Sequence, residues 1–109
     1  MEKFVKGDIV VIPFPFSNLK GQKKRPALVL ADLESEDIIL CQITSQNKDT
    51  KYSIQLSSKE FKSGSLPVLS YIRPNRIFTA DKNIIIKKSG TISMEKFKEV
   101  ISKLNEILN

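Results

Sequence analysis

The apolar residues of this chain come in short runs cut off by turn-forming residues, until residue 97, where their spacing changes to that of a helix. That change of period, from two to about 3.6, restricts the fold more than any other feature of the sequence. The β-branched run at residues 9–12 is entered through Gly7-Asp8 and closed by Pro13, which predicts a first strand. Runs at 27–30 and 38–43 flank an acidic stretch of Asp32, Glu34, Glu36 and Asp37, the pattern of a hairpin with a polar loop. Residues 52–56 alternate apolar with Ser53 and Gln55, and 68–72 give a fifth strand. Residues 76–78 and 84–86 are shorter strand candidates. Many short strands at this spacing predict a small antiparallel β-barrel.

The ending is helical. Phe97, Val100, Ile101, Leu104, Ile107 and Leu108 fall on one helix face, Ser93 is placed to cap it, and Ile92 with Phe97 has the spacing of a hydrophobic staple. Burying six such side chains is worth on the order of 10 kcal/mol before entropy is deducted, so this helix is expected to pack on the barrel. The fold class is therefore mainly β with one α element, an antiparallel barrel with a C-terminal helix. At 109 residues one core can be filled, which predicts a single domain over 1–109.

Composition removes several function classes. A single cysteine, Cys41, cannot close a disulfide within the chain, and histidine is absent, so neither a His-paired acid and base nor a His- or Cys-based metal site is expected. The start carries no apolar signal segment, and no run is long enough to span a bilayer, so the expectation is a soluble, cytoplasmic protein with no membrane partner. Eighteen Lys and Arg against twelve Asp and Glu leave a net charge of +6. The excess lies in two blocks either side of the acidic hairpin loop. Lys20, Lys23, Lys24 and Arg25 form the first, and Lys48, Lys51, Lys59, Lys62, Arg73 and Arg76 belong to the second. Brought onto one face, the blocks would attract a nucleic acid backbone; left scattered, they are a solvated surface.

Four places could carry chemistry. Arg25 stands before Pro26, which biases it to an extended conformation, and a guanidinium can grip a phosphoryl group and spread over its developing charge. It can also be one more surface cation. Thr44-Ser45-Gln46 closes the third strand, in which Leu40, Gln42 and Thr44 share one face and Ile39, Cys41 and Ile43 the other. The Thr44 hydroxyl can therefore point away from the main core, to donate to a phosphate oxygen or to cap a turn. Cys41, on the isoleucine face, reads as packing. In Pro13-Phe14-Pro15-Phe16, Phe14 reads as a plug for the barrel end, whereas Phe16 can stack on a base or do the same.

In order along the chain, residues 7–16 (GDIVVIPFPF), 25–30 (RPALVL), 43–46 (ITSQ) and 70–73 (SYIR), with Thr79 and Asp81, resemble the MazF/PemK family of toxins from bacterial toxin-antitoxin pairs. The resemblance runs on through a turn at 90–93 and the terminal helix. It implies an SH3-like barrel of the CcdB/MazF type, a homodimer, and a metal-independent endoribonuclease, with no cofactor, that cuts single-stranded RNA at short sequences. It also implies a cognate antitoxin whose flexible tail covers the RNA groove. The family's catalytic arginine falls on Arg25 and its catalytic threonine on Thr44. Ser45, Gln46, Lys24, Phe16 and Arg73 are the implied RNA contacts. One position departs from the pattern: Asn75 stands where many members carry Asp or Glu, and an amide cannot act as a general base, so the base is unassigned. Two other functions would suit such a barrel, a CcdB-like toxin acting on gyrase through a protein surface and a plain RNA-binding module.

Overall fold

A computed structural model describes residues 3–14, 23–46 and 51–109. Seven strands form one antiparallel sheet, curled into a half-barrel: β1 (Asp8–Phe14), β2 (Lys23–Asp32), β3 (Asp37–Thr44), β4 (Ile54–Leu56), β5 (Phe61–Gly64), β6 (Ser70–Asp81) and β7 (Lys87–Ile92), in the spatial order β4-β6-β3-β2-β1-β7-β5. Among the described residues one α-helix, α1 (Met94–Leu108), follows the last strand. No described helix is long and apolar enough to cross a membrane.

Period-two alternation gives the sheet two buried faces. Ile9, Leu28, Leu30, Cys41, Ile43 and Ile72 point inward and meet Phe97 and Val100 of α1. Val10, Ile12, Ala27, Val29, Ile38 and Leu40 point to the outer face, where Phe4, Phe78, Ala80 and Ile85 pack against them. Both sides of β1 to β3 are thus covered for most of their length, which is why these strands read as continuous apolar runs.

The expected helix forms as the spacing requires. Ser93 Oγ accepts from the Lys96 N–H at 3.2 Å, and Ile92 and Phe97 join the same inner cluster. Ile101 and Leu104 pack beside them, but Leu108 is 73% exposed, so the last turn overshoots the sheet and contributes little.

Several sequence expectations are corrected. The runs at 68–72 and 76–78 are one strand, β6, because Cys41 pairs Ile77 while Gln42 pairs Arg73. Pro74, Asn75 and Arg76 therefore form a bulge, and Pro74 has no N–H for a ladder there. Residues 82–84 form a short 3₁₀ turn and 85–86 no regular structure, so the proposed strand at 84–86 is absent. The polar sequences of β5 and β7 hid two real strands, and Gly90, expected in a turn, lies inside β7.

Two carboxylates near turns set an acid limit. The Ser57 N–H and hydroxyl, at 2.6 and 2.8 Å from Glu60 Oε1, hold Glu60 below the usual glutamate value. Lys82, whose ammonium lies 2.6 Å from the Asp32 carboxylate, and the Glu34 N–H likewise lower Asp32. A carboxylate with a lowered folded pKa stabilises fully above its unfolded value and loses that contribution as pH falls through the folded value. Melting temperature should therefore drop below about pH 4, and Asp32→Asn with Glu60→Gln should make that drop shallower. Equal acid sensitivity of wild type and double variant would contradict this.

Candidate catalytic face

Pro26 shapes the region around Arg25. It cannot donate to a neighbouring strand, and the β2–β3 ladder ends at the next residue, where Ala27 pairs Gln42. Arg25 and Thr44 each lie two residues beyond that last pair, in a stretch where the two strands no longer pair.

Alternation decides which side each residue faces. In β2 the inner residues are Leu28 and Leu30, so Arg25 faces outward with Ala27 and Val29. In β3 the inner residues are Cys41 and Ile43, so Gln42 and Thr44 face outward with Leu40. In β6 Ile72 is inner, which turns Tyr71 and Arg73 outward, and their cross-strand partners are Thr44 and Gln42. Directly opposed residues on one face have Cβ atoms about 4.5–5.5 Å apart. The outer face is therefore apolar over one half and, at the ends of β2 and β3, carries Arg25, Gln42, Thr44, Tyr71 and Arg73. Ile12, fully buried, pairs with Arg25 on the β1 side and gives this polar end an apolar wall.

The hydrogen bonds there have a direction. Thr44 Oγ1 accepts from the Gln46 N–H at 3.1 Å, fixing the turn that leaves β3. A hydroxyl that accepts in this way still has its own proton to donate, so capping the turn and holding an anion are compatible roles. Arg73 Nη1 donates to Gln42 Oε1 at 3.1 Å, while Arg73 Nε is buried without a hydrogen-bond partner among the described residues. An unpaired buried donor of this kind costs about 1–3 kcal/mol. Among the described residues Arg73 has no carboxylate within salt-bridge reach, so its charge is not cancelled.

The sequence candidates separate accordingly. Arg25, Thr44 and Arg73 share the face, and Ser45 and Gln46 follow Thr44 as exposed residues. Lys24 is exposed but alternates to the opposite side of β2 from Arg25. Phe16, Lys20, Lys48 and the side chain of Phe14 lie outside the described residues. Asn75 and Arg76 are exposed in the β6 bulge. Gln42 and Tyr71 were not singled out from sequence, although a glutamine inside the run IILCQIT is a visible break in an apolar pattern.

Cys41 is not part of this chemistry. Burial pushes its thiol up to about 12, and Sγ lies 2.9 Å from the Arg73 carbonyl, to which it donates. A disulfide reagent at pH 8 should leave the native thiol unlabelled and react fully after denaturation; rapid labelling of the folded protein would contradict this burial.

A separate cavity of about 490 Å³ lies at the far end of β3 from Thr44. Its lining includes Asp32, Glu34, Glu36 and Asp81 against Lys3 and Lys82. That charge repels a polyanion, so size alone does not make it the candidate site.

Fold and face together define a class: a small β half-barrel with a terminal helix and a cationic, hydroxyl-bearing end to its outer face. The family model that describes a PemK-like, MazF-like toxin of a type II toxin-antitoxin system matches residues 5–108. The chain belongs to this family. Among solved structures, MazF from Deinococcus radiodurans is 19% identical, with a TM-score of 0.78 over 99% of this chain and 98% of that one. An endoribonuclease in complex with its cognate antitoxin, from a mycobacterial species, is 13% identical, with a TM-score of 0.75 over 97% and 95%. A chain of a MazE–MazF crystal structure from Deinococcus radiodurans is 21% identical, with a TM-score of 0.75 over 95% of this chain and 94% of that one. At these identities the likeness is one of fold. No curated protein matches the chain in sequence.

Proposed function

We propose that this toxin is a sequence-specific endoribonuclease that cleaves single-stranded RNA without a metal ion. The observation that supports the reading most is the strand alternation that turns Arg25 and Thr44 to one outer face, each two residues past the last β2–β3 pair. In this reading the ribose 2′-OH attacks the adjacent phosphorus, the bond to the 5′ oxygen breaks, and the products carry a 2′,3′-cyclic phosphate and a 5′-OH. Arg25 spreads its guanidinium over the charge that develops on the phosphoryl oxygens and donates to the leaving oxygen. Thr44 donates its hydroxyl to a non-bridging oxygen. In this proposal no side chain is assigned as the base: solvent takes the 2′-OH proton and returns one to the leaving 5′ oxygen.

Ser45, Gln46, Phe16 and Arg73 contact the flanking RNA in this proposal, whereas Lys24, on the other side of β2 from Arg25, does not line the same face. Two copies of the chain form a homodimer in the cytoplasm, each completing the other's groove, and a cognate antitoxin occludes that groove. The solved relatives that carry an antitoxin support the last part.

Long single-stranded RNA incubated with the purified protein in EDTA tests the reaction. Discrete fragments ending in cyclic phosphate and 5′-OH are expected. Intact RNA at micromolar protein would reject it.

A further inference from the structure

Gln42 occupies the centre of the polar end of the face. It is the cross-strand partner of both Ala27 and Arg73, and it lies one alternation step from Thr44. Its Oε1 accepts from Arg73 Nη1 at 3.1 Å. A carboxylate at this position could pair with the guanidinium along two donors and neutralise it. An amide oxygen orients the guanidinium by one bond and leaves the positive charge in place. The Nε of the same guanidinium is buried and has no hydrogen-bond partner among the described residues, so Gln42 fixes the group by one bond and leaves donors of Arg73 unused. A cation held in position, without a carboxylate partner among the described residues and on the same face as Thr44 and Arg25, suits a chain of phosphates.

We propose that Gln42 is a positioning residue that holds the Arg73 guanidinium for an RNA phosphate next to the one engaged by Arg25 and Thr44. This rests on the nuclease reading for the substrate and adds a residue that acts through Arg73 without touching the reacting atoms. The role predicts that binding and turnover respond differently. Loss of Gln42 should raise KM and leave kcat within about twofold once RNA saturates, because the scissile phosphate keeps its own contacts.

The test measures binding of a 2′-O-methyl oligoribonucleotide, which cannot be cleaved by this route, alongside cleavage of the unmodified RNA. Gln42→Glu keeps an acceptor but cancels the charge. It should weaken binding about tenfold or more, and the slope of log affinity against log salt should become about 0.7 shallower. Gln42→Met removes the acceptor and should weaken binding about three- to tenfold when Arg73 is present, and have no further effect in an Arg73→Met background. Wild-type affinity and salt slope in Gln42→Glu, or an equal loss from Gln42→Met with and without Arg73, would overturn the proposal. If one variant fails to fold, the other still decides. A wild type that binds but never cuts removes the nuclease reading alone; one that does not bind removes both.

Discussion

Arg25→Ala is expected to lower the single-turnover rate of RNA cleavage by about 10² to 10³, or roughly 2.7–4 kcal/mol of transition-state stabilisation. Arg25 is half-buried, makes no salt bridge among the described residues, and sits where β2 has left β3. Its removal should therefore change thermal stability by less than about 0.5 kcal/mol. Arg25→Lys should recover only part of the rate, since an ammonium is a point charge and cannot span two phosphoryl oxygens along two fixed donors. Full activity in Arg25→Ala would place the chemistry elsewhere.

Gly64→Ala is expected to unfold the β5–β7 edge. Gly64 pairs with Gly90, and the two backbones approach so closely that a Cβ on Gly90 would lie 2.5 Å from the Ser63 carbonyl oxygen. A Cβ on Gly64 would overlap the Ser89 carbonyl, and Gly64 also has φ = +71°, where an L side chain costs about 1–2 kcal/mol. Overlap with backbone that cannot swing aside adds about 1–3 kcal/mol. The sum corresponds to a fall in Tm of about 10 °C or more for a domain of this size. Gly7→Ala separates the two causes. Gly7 has φ = +95°, but its Cβ would meet nothing closer than 3.8 Å, so only the backbone cost should appear. Equal losses at Gly64 and Gly7 would show that the close approach is not tight in solution.

The parts of the fold visible in the sequence are those whose pattern is enforced by burial. β1 to β3 bury both faces, so their apolar runs announce them, and α1 buries one face, so its 3.6 spacing does. β5 (FKSG) and β7 (KKSGTI) are held by backbone pairing and a glycine contact at the sheet edge, and neither leaves a hydrophobic signature. The bulge at Pro74–Arg76 hid β6 as one strand, because it inserts three residues and reverses which parity faces outward.

The candidate face was legible to a similar degree. Pro26 marks Arg25 as extended, and alternation in β3 turns Thr44 away from the inner core, so both could be singled out from local pattern alone. That adjacent strands turn both to one outer face depends on strand order and register, which no local pattern encodes. Gln42 illustrates the remaining gap. Its polarity was visible, but only the pairing of Gln42 with Arg73 gives that polarity a purpose.

The central claim is that Arg25 and Thr44 act together on one phosphodiester, and a double-mutant cycle on single-turnover cleavage tests it most directly. Arg25→Ala, Thr44→Val and the double variant should be compared on one RNA under saturating protein, with Thr44→Ser as the variant that keeps the hydroxyl. Residues that act as a unit are far from additive, so the double variant should be within a few-fold of the slower single variant, with Thr44→Ser near wild type. Losses that multiply in the double variant, or a Thr44→Val enzyme as fast as wild type, would contradict a shared site.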